Sequence, residues 1–461
     1  MLPRIAHTAS GTARAHRMTD PIHRIPTARR RTLAKVGALA GLGTLPAACR
    51  PLQPPVSDSA GFRIPGDFEP AHALWLSFHP GHAELTASLV QTLHGQARLK
   101  FLLPDEGTAA EARRFFSQRG IRTDGIEWFQ DPGAMFFLRD AAVFATGPQR
   151  RLGVVDFRWN QYGLPAWCAL RHERNMELAA RCLGDDSALR NDLDRSIARL
   201  TDARIVESGL FIEGGGIESN GNGLMIANEA LMTQRNPGRS LAELERAYLE
   251  LPGVRKVVWL REGLAEDPLQ RGTIVGNHVG WGTGGHTDEF VRFADPRTVL
   301  LAWPDDADAA AHPVARLTRQ RMQRNADILS RATDADGQPL RLLKVPTPRI
   351  IERRVFLSAA ADRMRSEGWT ADYFPPQERR REGDPVMQVA CASYLNFVVA
   401  NGVVVAPGYL AHGTPRSTQE RVGRILADAF GGRQIRFVDS ITANWVGGGL
   451  HCATLNEPQR T

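Results

Sequence analysis

A chain of 461 residues, 43% hydrophobic and 23% charged, is long enough for a large core and has the balance of a soluble globular protein. The formal net charge is +7, but residues 1–48 hold eight Lys/Arg against the single acid Asp20, and the remainder is neutral. A basic nucleic-acid-binding surface on the folded part is thereby excluded.

The first 48 residues read as an export signal. "RRTLAK" (Arg30–Lys35) precedes the apolar run "VGALAGLGTLPAA" (Val36–Ala48), which is too short and too glycine-rich for a membrane span of ~20 residues. A charged region, a short apolar region and small residues at a cleavage point make a signal peptide. The paired arginines resemble a twin-arginine signal, which places the mature chain in the periplasm or cell envelope. "LPAAC" has the outline of a lipoprotein cleavage site with Cys49 as the lipidated residue, and membrane contact is expected only through that lipid. Residues 49–61 are a linker by composition ("PLQPPVSDSA"), leaving 62–461 as one folded domain. The other cysteines, Cys168, Cys182, Cys391 and Cys452, are widely spaced. They make neither a zinc pattern nor a dense disulfide framework.

Within the domain, strand-like and helix-like runs alternate. Strands are predicted at 73–78, 98–103, 151–157, 223–228, 255–260, 298–303, 395–407 and 433–438. Apolar residues at three-to-four spacing predict helices over 84–94, 108–118, 241–251, 314–331 and 418–430. Asn401-Gly402 inside the last long run predicts a hairpin with a type I′ turn. The alternation predicts an α/β domain of repeated strand–helix units. Residues 304–387, less regular and rich in Arg, read as an insertion or a lid.

Four stretches join glycine or apolar sequence to titratable residues. In "FFLRDAAVF" (Phe136–Phe144) the pair Arg139-Asp140 sits inside an apolar run, where a charge must be partnered or face a cleft. In "FIEGGG" (Phe211–Gly216) an apolar strand ends in Glu213, uncrowded by the glycines after it; a surface Glu before a turn would look the same. In "GGHTDEF" (Gly284–Phe290), His286 and Asp288 stand two apart, which on a strand puts both on one face, fit for proton transfer and cation binding. No third and fourth metal ligand is evident at metal-like spacing. "GGGLHCATLNEP" (Gly447–Pro458) holds Cys452, a buried inert thiol if alone and a nucleophile if a base and acids join it. His451 is adjacent, but strand neighbours point to opposite faces, so the expected partner is His286.

Taken together, these motifs, with "DFEPAHALWLSF" (Asp67–Phe78) and "SYLNFVVANGVVVAP" (Ser393–Pro407), resemble the agmatine deiminase family and its bacterial Porphyromonas-type peptidylarginine deiminase relatives. The resemblance runs from about Phe62 to Pro458. It implies a pentein fold, a five-bladed pseudo-symmetric α/β propeller with the site in its central channel. It implies Cys452 as nucleophile, His286 as general acid/base, Glu213 as partner of His286, and Asp140 and Asp288 as the clamp on a guanidinium. No cofactor and no metal are implied. The expected partner is a small guanidino substrate, by default agmatine, or the arginine of a peptide, or free arginine. A catalytically silent pentein binding a guanidino ligand, an amidino-transferase and a peptide-cleaving cysteine hydrolase are the competing readings. The stretch Leu269–Gly284 is extra to the family pattern and is expected to reshape the pocket mouth.

The chemistry of a guanidinium fits these residue types independently. It is a permanent planar cation with a fork of donors, which two carboxylates match. Its carbon is a poor electrophile, which calls for a thiolate. The three glycines before Cys452 are expected to let that flat cation reach the thiol.

Overall fold

The computed structural model describes residues 61–171, 192–358 and 368–460. In chain order the strands are β1 (Ala71–Leu76), β2 (Arg98–Leu103), β3 (Glu127–Gln130), β4 (Val143–Gly147), β5 (Arg151–Arg158), β6 (Arg204–Phe211), β7 (Ile217–Ser219), β8 (Leu224–Asn228), β9 (Lys256–Leu260), β10 (Leu269–Val275), β11 (His278–Thr283), β12 (Val291–Phe293), β13 (Thr298–Trp303), β14 (Arg341–Pro346), β15 (Glu352–Phe356), β16 (Pro385–Val389), β17 (Val398–Val399), β18 (Val403–Pro407), β19 (Gln434–Val438) and β20 (Thr454–Pro458).

They form six small sheets, and five share one pattern: a middle strand antiparallel to one neighbour and parallel to the other. β4-β5-β6, β7-β8-β9, β12-β13-β14 and β17-β18-β19 repeat it. In the fifth, the C-terminal β20 pairs antiparallel with β1, which is parallel to β2, and β3 extends the edge. A parallel step needs a crossover, and helices supply it. Between β1 and β2 runs the helix Ala83–Leu93, whose buried Leu85, Leu89, Val90 and Leu93 keep one face on the sheet. Helix Glu106–Gln118 follows β2, capped by the Asp105 carboxylate accepting from Thr108 N at 2.7 Å, and buries Ala109, Ala112 and Phe116. Full burial of each large apolar side chain contributes about 1.5–3 kcal/mol.

The sixth sheet, β10-β11-β16-β15, is built differently: two antiparallel pairs, β10-β11 and β15-β16, are joined side by side by their parallel inner strands. It joins the extra stretch 269–284 to part of 304–387 through a parallel β11–β16 pairing. Residues 304–387 are therefore more regular than expected: they also hold β14 and the helices Asp306–Ala311 and Pro313–Leu329. Four further corrections concern local geometry. The run 395–407 keeps only Val398–Val399 and Val403–Pro407 as strand, and its turn is not type I′, because neither Asn401 nor Gly402 has a positive φ. The Asn401 amide instead brackets β1, accepting from Ala71 N at 2.9 Å and donating to Ala71 O at 3.0 Å. Arg139 and Asp140 lie on a 3-10 turn, Leu138–Ala141, not on a strand. His286 caps another, Thr287–Glu289, and Asp288 lies within it, so this pair too is not on a strand.

Candidate active site

The site is assembled from turns that leave or enter strands of different sheets. Cys452 lies in the turn before β20 and is 2% exposed. Its backbone is tied on both sides: its carbonyl accepts from Arg139 N at 3.1 Å, and Asn396 Oδ1 accepts from His451 N at 2.8 Å and from Cys452 N at 3.4 Å. The same Asn396 amide donates to Sγ at 3.2 Å. Asp288 Oδ2 stands 3.5 Å and Glu289 Oε1 3.8 Å from Sγ. These three donors lie within 4.8 Å of one another, close enough to share one thiophilic ion. Burial raises the thiol's pKa well above its ordinary value, and Asp288, Glu289 and Asp140 raise it further, so the free site holds a neutral thiol.

His286, fully buried, is fixed from its backbone outward. Asp267 accepts from the N–H groups of Gly285 and His286, both at 2.9 Å, and from Thr283 Oγ1 at 2.8 Å. The ring's Nε2 meets Glu213 Oε2 at 3.1 Å, and its Nδ1 lies 3.8 Å from Asp140 Oδ1. Burial disfavours the imidazolium, but Asp140, the Glu213 hydrogen bond and Asp288 outweigh it and hold the pKa at about 9. Glu213 lies two residues beyond the end of β6. Burial would raise its pKa, but buried Arg235, with Nε 2.9 Å and 3.0 Å from the two carboxylate oxygens, and His286 bring it down to about 2.

Asp140 accepts from Gly215 N at 3.0 Å and from the Tyr162 hydroxyl at 2.9 Å. Gln161, Tyr162 and Gly163 all take positive φ (54°, 56° and 72°), a strained turn that aims the phenol at the carboxylate. Burial lifts Asp140 to about 6 against the pull of His286. Asp288 Oδ2 also meets His451 Nδ1 at 2.7 Å, and His451 Nε2 meets Asp67 Oδ2 at 2.6 Å. Asp67 lies near Arg139 Nη1 and Arg292 Nη2, at 3.3 Å and 3.2 Å. Among the described residues, His286 Nδ1, Asp288 Oδ1 and Glu289 Oε2 are buried without a hydrogen-bond partner.

All five residues singled out in the sequence thus meet, with Gly215 between them. A Cβ on Gly215 would lie 2.7 Å from His286 Nδ1 and 3.0 Å from oxygens of both Asp140 and Asp288. His451 does not point away as strand alternation suggested, because Cys452 lies in a turn.

The Porphyromonas-type peptidyl-arginine deiminase family model matches residues 63–458. The chain belongs to this family. An agmatine deiminase of Pseudomonas putida is 26% identical over 414 residues, covering 86% of this chain and 96% of that one. One of Medicago truncatula is 26% identical over 421 residues, with the same coverage. Among solved structures, an agmatine deiminase of Enterococcus faecalis superposes with a TM-score of 0.66 at 21% identity, over 87% of this chain and 97% of that one.

In this deiminase-family member the thiol opens on a cavity of about 490 Å3. Its walls include Phe136, Phe137, Trp159, Tyr162 and Trp281; of its described lining residues Asp140 is the sole carboxylate, and none is Lys or Arg. His82, in that wall, is brought down to about 4 by burial and by His79, so it is neutral at pH 7. The glycines before Cys452 have a different use from the one expected. Gly447 packs on Gly282, Gly448 on the Phe137 ring and Gly449 on the Asn396 amide, each with a would-be Cβ at 2.4–2.8 Å. They let the cavity wall and the thiol's own donor close in. Gly215→Ala tests the equivalent crowding at the reacting centre. It is expected to leave the fold intact and to lower kcat/KM on the order of 100-fold, read by ammonia release.

Proposed function

We propose that this chain deiminates a guanidinium through a covalent Cys452 intermediate, with agmatine as substrate and N-carbamoylputrescine and ammonia as products. The observation that carries this is the buried excess of carboxylates around a thiol at the end of an aromatic cavity. A guanidinium supplies donors for Asp140, which His286 meets only at 3.8 Å, and for the unpartnered Oδ1 of Asp288, and charge-assisted bonds contribute about 1.5–3 kcal/mol each.

As the cation docks, the thiolate becomes favourable. The proton on Sγ passes to Asp288 Oδ2 and on to His451. Burial, Arg139 and Arg292 pull the His451 pKa down, so its ring is neutral beforehand, and the short contacts with Asp288 and Asp67 hold the proton once it arrives. The thiolate adds to the guanidinium carbon. The His286 imidazolium then protonates the departing nitrogen, and ammonia leaves with the C–N bond pair, giving a thiouronium on Cys452. Neutral His286 next takes a proton from water and the hydroxide adds to the same carbon; the C–S bond then breaks with its electron pair going to sulfur, and the new hydroxyl's proton passes to the released ammonia, which leaves as ammonium, freeing the neutral ureido product. The sulfur recovers its proton from His451. Glu213 keeps the His286 ring oriented and charged. We infer that the five like sheets are the blades of a propeller around this site; the recurrence of one strand pattern, closed by β20, supports it.

The cavity favours agmatine over free arginine, whose carboxylate would find no cation among the described lining residues, whereas aromatic faces suit agmatine's distal ammonium. A peptidyl-arginine substrate is the second reading. Disulfide-bonded Cys168 supports it and supports export by residues 1–48, since disulfides persist in oxidising compartments where peptides are met. Ammonia release from agmatine, free arginine and a blocked arginyl peptide should rank agmatine first; a higher kcat/KM on the peptide overturns that choice. With either substrate, kcat/KM should rise as pH passes about 6, where Asp140 ionises, and fall as it passes about 9, where His286 loses its proton. A profile flat across both limbs contradicts the two assignments. A reporter fused to residues 1–60 should leave the cytoplasm, and lose export when Arg30 and Arg31 are replaced by Lys.

A further inference from the structure

The sixth sheet carries a second cluster of chemistry-bearing side chains that the deimination does not use. His278 begins β11 and lies opposite Met387 of β16; Glu352 begins β15 and lies opposite Val389, two residues along β16. Residues two apart on a strand share a face, so register brings His278 and Glu352 to one side of the sheet. His312, at the start of the helix Pro313–Leu329, comes onto them: its ring centroid is 4.7 Å from that of His278.

Both rings aim Nε2 at the same carboxylate oxygen, Glu352 Oε2, at 3.2 Å from His278 and 3.4 Å from His312. The three donor atoms all lie within 4.8 Å of one another. Ligand atoms held ~2.0–2.2 Å from a tetrahedral ion stand roughly 3.3–3.5 Å apart. Two of the separations, 3.2 Å and 3.4 Å, are already close to that value, and the third lies within 4.8 Å. His278 Nδ1 lies 3.2 Å from Val275 O, so that nitrogen carries the proton and Nε2 offers a lone pair. His312 Nδ1 accepts from Val314 N at 3.2 Å, a long capping bond that gives way when Nε2 takes an ion. The three side chains are partly exposed and reachable from solvent.

We propose that His278, His312 and Glu352 bind one divalent ion of the zinc, nickel and copper class. Two imidazoles and one carboxylate suit these borderline ions and not magnesium or calcium, which take oxygen ligands. The ion ties the starts of β11 and β15 to the helix Pro313–Leu329. It sits at the far end of the strand that leads through Trp281 in the cavity wall to His286, and it takes no part in the chemistry.

The test uses the full chain carrying Cys452→Ala, which removes the donor set at the nucleophile, stripped with a chelator and titrated calorimetrically with zinc. One zinc per chain is expected. His278→Gln and Glu352→Gln should each weaken it by at least about tenfold. Zinc should raise the unfolding temperature of the protein with the intact cluster and not that of His278→Gln. Circular dichroism of the metal-free variants verifies that they are folded. Absence of zinc binding, or equal affinity in the folded variants, overturns the site.

Discussion

Cys452→Ser is expected to lower kcat on agmatine on the order of 1000-fold or more, with the fold unchanged. The substitution exchanges sulfur for oxygen in a site 2% exposed, where Asn396 still donates and the backbone bonds to Arg139 and Asn396 remain. Nothing in the packing is disturbed, so unfolding temperature and circular dichroism should match the parent. The chemistry fails because a serine hydroxyl beside Asp288, Glu289 and Asp140 cannot ionise, even with a guanidinium bound. A thiol can, since the bound cation offsets the carboxylates that raise its pKa. Ammonia release close to the parent rate by a pure serine variant would remove the nucleophile from the account.

The second large effect separates binding from chemistry. Asp288→Asn is expected to raise KM, costing about 2–5 kcal/mol in kcat/KM, because a buried guanidinium loses one of its two carboxylates. Glu213→Gln is expected to lower kcat with a smaller change in KM, because the imidazolium that protonates ammonia loses its charged partner at 3.1 Å. Glu213→Gln carries a further consequence. Arg235, wholly buried, holds the same carboxylate through Nε and keeps only Thr283 O and Gln234 when the charge is gone. Breaking a buried pair on one side costs about 3–5 kcal/mol, so this variant should also melt lower. Asp288→Asn should melt closer to the parent, since its amide oxygen can still meet His451 Nδ1, the partner its carboxylate holds at 2.7 Å. Wild-type kcat/KM in Asp288→Asn would show that this carboxylate does not clamp the substrate.

Cys452, His286 and the three acids were legible as a group in the sequence because each stands in a glycine-rich or apolar motif that is odd for a charged or reactive residue. Their convergence was legible; the local reasons were not always right. His286 and Asp288 come together across a 3-10 turn, not by strand alternation, and the same alternation wrongly turned His451 away from the site. The cations that balance the acids left no signal. Arg235 ends the helix Glu229–Arg235 and Arg292 lies within β12, and they find the carboxylates of Glu213 and Glu218 across 22 and 74 residues of sequence. Asn396 and Tyr162 belong to the same class: their roles depend on where distant turns are placed. The five like sheets show in the sequence as alternation alone, since a strand of three residues such as β7 has too little periodicity to be read. The sixth sheet was hidden for a similar reason. β11 and β16 pair in parallel across roughly a hundred residues, and no local pattern announces a partner at that distance.

The central claim, a covalent bond between Cys452 and the guanidinium carbon, is tested most directly by rapidly quenching the enzyme during turnover of agmatine and mapping adducts by peptide mass spectrometry. An adduct with the mass of the substrate less ammonia is expected on the peptide containing Cys452 and is absent from Cys452→Ser. Steady turnover with that peptide unmodified at every quench time, or with the adduct on another residue, would contradict it.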